Sequence, residues 1–444
     1  MRIAFLSGGA AGMYCGSCMH DNSVAAQLQR LGHEATLIPL YTPLRTDEES
    51  VSQERVFYGA VNTYLQVKSA HFSRLPAPLR RWLDRPSLLK WVGRFSSSSS
   101  ARDLGELALA VLQGEEGATR DQLDQLITWL KEELRPEIIH LQNSMFVGLA
   151  RRLGRDLGIP VVCSLQGEDL FLESLVEPYR SQAFEVLKER QQDIDAFIAN
   201  SDYYASHMGG LVGLEEDRIH RVPLGLQLED FAVKEPAGEP TESPFVVGYL
   251  ARICPEKGFG LAVEGFWQLA KQVGKDKVRL RVAGYLGAGD RPFFEETMAQ
   301  VKEWGLESCV EVVGEVDRAE KVAFLRSLDV LSVPTIYREP KGIFALEAMA
   351  CGVPVVVPRH GAFPEVIQST GGGLLIDPQS PEAVAEALIA LMRDEKYCQE
   401  LGRKGRQGVQ AIHGIQATVE AMLDVYRYLL SDSSKESSAR VTLG

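Results

Sequence analysis

The stretch REPKGIFALEAMACGVPVVVP, residues 338–358, follows a strand-like run at residues 329–334 and orders itself as loop, short helix, Gly352 stop, Pro354 and a further buried strand. A helix starting near Gly342 leaves Glu339 on the preceding loop and puts Glu347 in the second turn, so both carboxylates can face one cleft at the sheet's carboxyl edge. The N–H groups of Gly342, Ile343 and Phe344 have no partner within such a helix, which makes them natural donors to a phosphate. A carboxylate suits a vicinal diol, because each oxygen can accept one hydroxyl hydrogen. The stretch therefore has parts for a sugar, a ribose and a diphosphate.

Upstream, YLARICPEKGFG at residues 249–260 sets Arg252 and Lys257 five apart on a strand-to-helix loop, placed to converge on an anion held between domains. Preorganised cations stabilise the negative charge that develops on a leaving phosphate, and losing one such group typically costs roughly 10²-fold or more in rate. Taken singly, either residue reads as a solvated loop charge.

The alternation extends in both directions. FVVGYL, KVRLRVAG, VEVVG, DVLSVPTI and VPVVVPR read as strands with helices between them. The first half opens with RIAFLS, a glycine-rich turn, a helix with apolar positions at Val24, Leu28 and Leu31 closed by Gly32, and the strand EATLIPL. That is a βαβ unit, which predicts a parallel sheet with its ligand at the strands' carboxyl ends. Further strands are expected at residues 137–141, 160–165 and 196–200. The class is α/β, with two doubly wound, Rossmann-like domains.

The rhythm lapses near residues 66–130, a mostly helical insertion that includes SSSSS and reads as a lid or acceptor-facing excursion. Its residues 74–94 are basic and carry Trp82 and Trp91, which suits either the exposed face of a helical hairpin or peripheral contact with an anionic surface. The expected organisation is a first domain over 1–233, a Pro/Glu/Gly-rich linker over 234–244, a second domain over 245–410, a helix over 411–432 with Val419, Met422, Leu423, Tyr426 and Leu430 on one face, and a disordered tail over 433–444.

Composition sets the limits. The 444 residues are 45% hydrophobic and 24% charged, which fits a soluble globular chain of two domains. A net charge of -13 argues against nucleic acid as a partner. No run of 18 apolar residues predicts a transmembrane helix, and the N-terminal apolar run is broken by Ser7-Gly8-Gly9. Seven cysteines, mostly inside apolar runs, read as reduced thiols in a cytoplasmic protein.

GGAAGMYCGSCMHDN, residues 8–22, sets Cys15 and Cys18 at dithiol spacing in a glycine-rich loop. A redox unit would be a fold of its own, and a zinc site with His20 lacks a fourth ligand, so a ligand cradle is favoured and no metal is expected. Gly12, Gly16 and Ser17 are small enough to let backbone approach a sugar. Asp21 fits a helix N-cap better than an acceptor-orienting role.

Together, ARICPEKGF and EPKGIFALEAMACGVPVV resemble the donor-site signature of family 4 glycosyltransferases, which have the two-domain GT-B fold. RIAFLS with LGHEATL, PEIIHLQ, ANSDYYASHM, VPLGLQLEDF, GAFPEVI and GGGLLIDP extend the likeness over most of the chain outside residues 66–130. The resemblance implies two domains facing a central cleft and closing on the donor, with the last helix crossing back to the first domain. It implies transfer of a hexosyl group from a UDP-, GDP- or ADP-linked sugar to an acceptor with retention of configuration, without metal or cofactor. It assigns Arg252 and Lys257 to the diphosphate, Glu347 to the ribose, Glu339 to the sugar hydroxyls, the backbone of Gly342, Ile343 and Phe344 to phosphates and sugar, and Gly284 to the border of the base. On the acceptor side it implies Gly12, Gly16, Ser17, Asp21, Gln142, Gln166 and Asp169. Gln142 and Gln166 stand where members of the family often have histidines, and an amide cannot titrate. A nucleotide-sugar binder without transferase activity is therefore the alternative, with a thiol or metal protein a weaker one.

Overall fold

The computed structural model describes residues 1–9, 16–53, 55–58, 101–117, 119–231 and 244–441. Two compact units emerge, Leu224–Gly414 being one, and Met1–Pro223 with the segment from Ile415 onward the other.

The first unit is built on six parallel strands, β1 (Arg2–Ser7), β2 (Glu34–Pro39), β3 (Ile138–Leu141), β4 (Val161–Leu165), β5 (Ala196–Ala199) and β6 (Ile219–Arg221), in the order β2-β1-β3-β4-β5-β6. A sheet covered on both faces needs strands apolar at every position, and the period of two then deals alternate residues to two cores. Ala4, Leu6, Ile139, Leu141 and Cys163 face one core, while Ile3, Phe5, Ile138 and Val162 face the other. The second core is closed by Val24 and Leu28 of the Gly16–Arg30 helix and by Val419, Met422, Leu423 and Tyr426 of the Ile415–Val441 helix. Leu31 lies outside that packing and is exposed.

Three boundaries differ from the sequence expectation. The helices Ala101–Gln113 and Arg120–Trp129 are not an excursion, since Ala108, Val111, Leu112, Leu123, Leu126 and Ile127 lie in the first unit's core. Residues 59–100, with the basic segment 74–94, lie outside the described residues, as do 234–243 of the linker. The second unit begins before the linker, because Leu224, Leu226 and Phe231 bury in its core. The last helix runs through Val441 in place of a disordered tail from 433; extending a formed helix costs far less than starting one.

The second unit repeats the plan with β7 (Phe245–Leu250), β8 (Val278–Ala283), β9 (Val310–Gly314), β10 (Val330–Ser332), β11 (Val355–Pro358) and β12 (Gly373–Ile376), all parallel, in the order β12-β11-β10-β7-β8-β9. The sequence expectation lacks β6 and β12. Every expected site residue in this unit lies beyond the carboxyl end of a strand or on the helix that follows it. Both sheets have the α/β architecture expected.

Candidate functional site

In the second unit, the loop after β7 turns into the Phe259–Val273 helix at Gly258, whose φ of +71° and contact with the Pro334 carbonyl leave no room for a Cβ. That turn aims Lys257 at the loop after β10. Its Nζ donates to Glu339 Oε2 at 2.7 Å and to Tyr337 Oη at 2.6 Å, and lies 5.5 Å from the centre of the Phe344 ring. Tyr337 Oη also donates to Glu339 Oε2, while Lys341 N and Gly342 N donate to Oε1 at 3.3 and 3.2 Å. Burial alone would raise the Glu339 pKa, but the charge and hydrogen bond of Lys257, with the Tyr337 hydroxyl and the Gly342 amide, hold it down at about 2.

Gly342, at φ +67°, caps the Ile343–Ala350 helix. The Gly342 N–H is taken by Glu339, but those of Ile343 and Phe344 meet no acceptor among the described residues, so two donors stay open at the positive end of the helix. Glu347 is buried one turn on, with Lys321 Nζ donating to its Oε1 at 2.6 Å. Lys321 comes from the Arg318–Arg326 helix. Arg252 is half exposed and pairs with Glu256 at 3.3 Å and Asp290 at 4.0 Å, carboxylates other than the one that holds Lys257. Gly284 directly follows β8 with a φ of +147°, and a Cβ there would collide with the Ala251 carbonyl.

In the first unit, Asp21 does not cap a helix. The helix starts at Gly16, which puts Asp21 in its second turn, where it is buried and accepts from Gln142 Nε2 at 2.7 Å and Gln166 Nε2 at 3.1 Å. Gln142 also donates to Ser7 Oγ at 2.6 Å and accepts from Gly8 N at 3.0 Å. The two carboxamides thus orient one carboxylate. Asp169 accepts from Tyr204 Oη at 2.8 Å and contacts His207 Nε2 at 3.1 Å. Buried His140 joins Tyr426 Oη at 2.6 Å and Ser164 Oγ at 2.7 Å, and burial lowers its pKa to about 4 against the opposing field of Asp21. Gly16 and Ser17 are partly buried at the start of the helix; Gly12 and Cys15 lie outside the described residues. Cys18 is buried, with its Sγ 3.6 Å from Gln142 Nε2.

Residues 22–225 match the model of the glycosyl transferase 4-like domain, and residues 231–408 match that of glycosyl transferases group 1. Both halves belong to glycosyltransferase domain families.

Among curated relatives, the D-inositol 3-phosphate glycosyltransferase of Xylanimonas cellulosilytica is 32% identical over 245 residues, 52% of this chain and 56% of that protein. The protein of the same name from Kribbella flavida is 27% identical over 340 residues, 70% of this chain and 78% of that protein. The chain spans little more than half the length of the first curated relatives it matches. Sucrose-phosphate synthase from Thermosynechococcus elongatus shares the fold at 19% identity, with a TM-score of 0.68 over 97% of this chain and 99% of that one. So does Anabaena HepE in complex with UDP-glucose, at 15% identity, with a TM-score of 0.65 over 95% and 98%.

The group 1 domain thus holds Lys257, Tyr337, Glu339, Gly342 and Phe344 in one cluster and Lys321 with Glu347 in a second. Sequence reasoning missed Tyr337 and Lys321. A lysine in register with Phe324 and Leu325 on the apolar stripe of its helix was the available signal for Lys321. In the 4-like domain it missed the inward aim of His20, whose two ring nitrogens are buried without a hydrogen-bond partner among the described residues.

Proposed function

We propose that the chain transfers a hexosyl group from a nucleotide diphosphate sugar to a hydroxyl of its acceptor, with retention of configuration and no metal or cofactor. The observation that carries this is the cluster beyond β10. A lysine, held by a carboxylate and a tyrosine, stands beside a helix start with two open N–H groups, which together suit a diphosphate whose charge grows as the bond to the sugar breaks. Glu347 on the same helix offers a carboxylate oxygen to a ribose hydroxyl. UDP-glucose bound by a protein of the same fold, and relatives named for D-inositol 3-phosphate, support a nucleotide-sugar donor and a hydroxyl-rich acceptor. On the acceptor side, Asp21, aimed by Gln142 and Gln166, would orient the attacking hydroxyl.

No helix among the described residues is long and apolar enough to cross a membrane. We place the protein in the cytoplasm, with peripheral membrane contact through residues 74–94 as part of the same proposal.

The test is thermal denaturation with UDP, GDP or ADP at millimolar concentration. A nucleotide at 100 times its Kd should stabilise by about 2.7 kcal/mol, and Glu347→Ala and Arg252→Ala should abolish the shift. No shift with any of the three would overturn the proposal. A second activity, nucleotide-sugar binding without transfer, is favoured by the amides of Gln142 and Gln166. Donor binding without hydrolysis or transfer identifies it.

A further inference from the structure

We propose that Lys321 is a positioning residue that makes Glu347 a one-sided acceptor, so that the site distinguishes the two hydroxyls of a ribose; this rests on the nucleotide-sugar function proposed above. The two glutamates of the motif do not offer the same chemistry. All four lone-pair directions of Glu339 are taken, by Lys257, Tyr337, Lys341 and Gly342. Glu347 receives one donor on Oε1, from Lys321 Nζ at 2.6 Å, and no protein donor reaches Oε2 among the described residues.

Lys321 is itself buried, with 9% of its side chain exposed, against 6% for Glu347. A buried lysine costs desolvation energy that a solvated loop charge does not, and here it meets the carboxylate at short range. That contact fixes the carboxylate in rotation: Oε1 is occupied and Oε2 is left as the open acceptor. A vicinal diol meeting such a group cannot bind symmetrically. One hydroxyl donates to Oε2; the other reaches Oε1 only in competition with the ammonium. Without Lys321, the carboxylate would rotate freely and take either hydroxyl alike.

The experiment uses whichever of UDP, GDP or ADP binds, with its 2′-deoxy and 3′-deoxy analogues, on the full chain. Dissociation constants are measured by calorimetry for wild type, Lys321→Gln and Lys321→Arg. In wild type, loss of one hydroxyl should weaken binding by about tenfold or more and loss of the other by less than about threefold. In Lys321→Gln the two penalties should converge, while Lys321→Arg keeps them apart. Each comparison is a ratio within one protein preparation, so a partly unfolded variant scales both constants alike and does not mimic the effect.

Equal penalties in wild type, or an asymmetry that persists in Lys321→Gln, overturns the role of Lys321. If wild type binds none of the three nucleotides, the functional proposal itself fails, and that is seen before any deoxy analogue is used.

Discussion

Glu339 and Glu347 are the same residue eight positions apart, one before a helix start and one inside it, and the fold treats them in opposite ways. Glu339 is saturated by two side chains and two backbone amides. Glu347 has one lysine and an open oxygen. The difference follows from the chain's path. Glu339 sits where a loop folds back on itself, so the N–H groups of Lys341 and Gly342 point at it. Glu347 is inside the helix, where the backbone N–H groups are spent on helical bonds. A pair that looks symmetric in sequence thus divides its work, Glu339 holding Lys257 and the loop in place and Glu347 keeping one oxygen open for the ligand proposed above.

The largest expected effect tests that division through the partner lysines. Lys321→Met leaves Glu347 buried with no counter-ion and no protein donor, and should cost about 3–5 kcal/mol in denaturant unfolding. Lys257→Met leaves Glu339 three donors and should cost less, about 1–3 kcal/mol. The double variant Lys321→Met, Glu347→Met should recover most of the first loss, since an apolar pair replaces an ion pair. Should Lys257→Met prove the more damaging, the contrast between the two sites is wrong.

The next effect is pH dependence. The folded-state pKa of Glu339 is about 2, below its ordinary value of 4.5, so the folded protein binds the proton more weakly than the unfolded chain. The stability this contributes is full above about pH 4.5 and is lost as pH falls through about 2. Glu339→Gln should flatten that part of the stability curve while lowering stability at neutral pH. Melting temperatures of the two proteins at pH 2.5, 3.5, 4.5 and 7 check it; parallel curves over that range would show that Glu339 is not held ionised by its neighbours.

Much of this arrangement was legible in the sequence because it is local. Glu339, Gly342 and Glu347 fall within one loop and helix, and the glycine punctuation with the buried strand VVVP placed them at a sheet edge. The alternating strands gave the α/β plan by the same kind of short-range signal. Contacts across elements were not legible. Lys321 lies in a different helix from Glu347, and only its place on an apolar stripe hinted at burial. Asp21 suited a cap on composition, but the helix began five residues earlier, and its partners Gln142 and Gln166 come from the ends of β3 and β4. The helices from Ala101 onward were misread because the lapse in strand rhythm looked like an excursion, although their apolar faces serve the main core.

The smallest effect sharpens the contrast most. Tyr337 supplies one of four donors to Glu339 and is also a hydrogen-bond acceptor for Lys257. Tyr337→Phe removes that hydroxyl but leaves the Lys257 ion pair and both amides, so the carboxylate stays ionised and held. The expected cost is about 1 kcal/mol, the net worth of an ordinary hydrogen bond, with nucleotide-induced stabilisation kept within about twofold in Kd. Because Glu347 has a single lysine where Glu339 has four donors, redundancy is the property being measured. A loss in Tyr337→Phe as large as that in Lys257→Met would mean that the four donors act as one cooperative unit, and that Glu339 is no better buffered against change than Glu347.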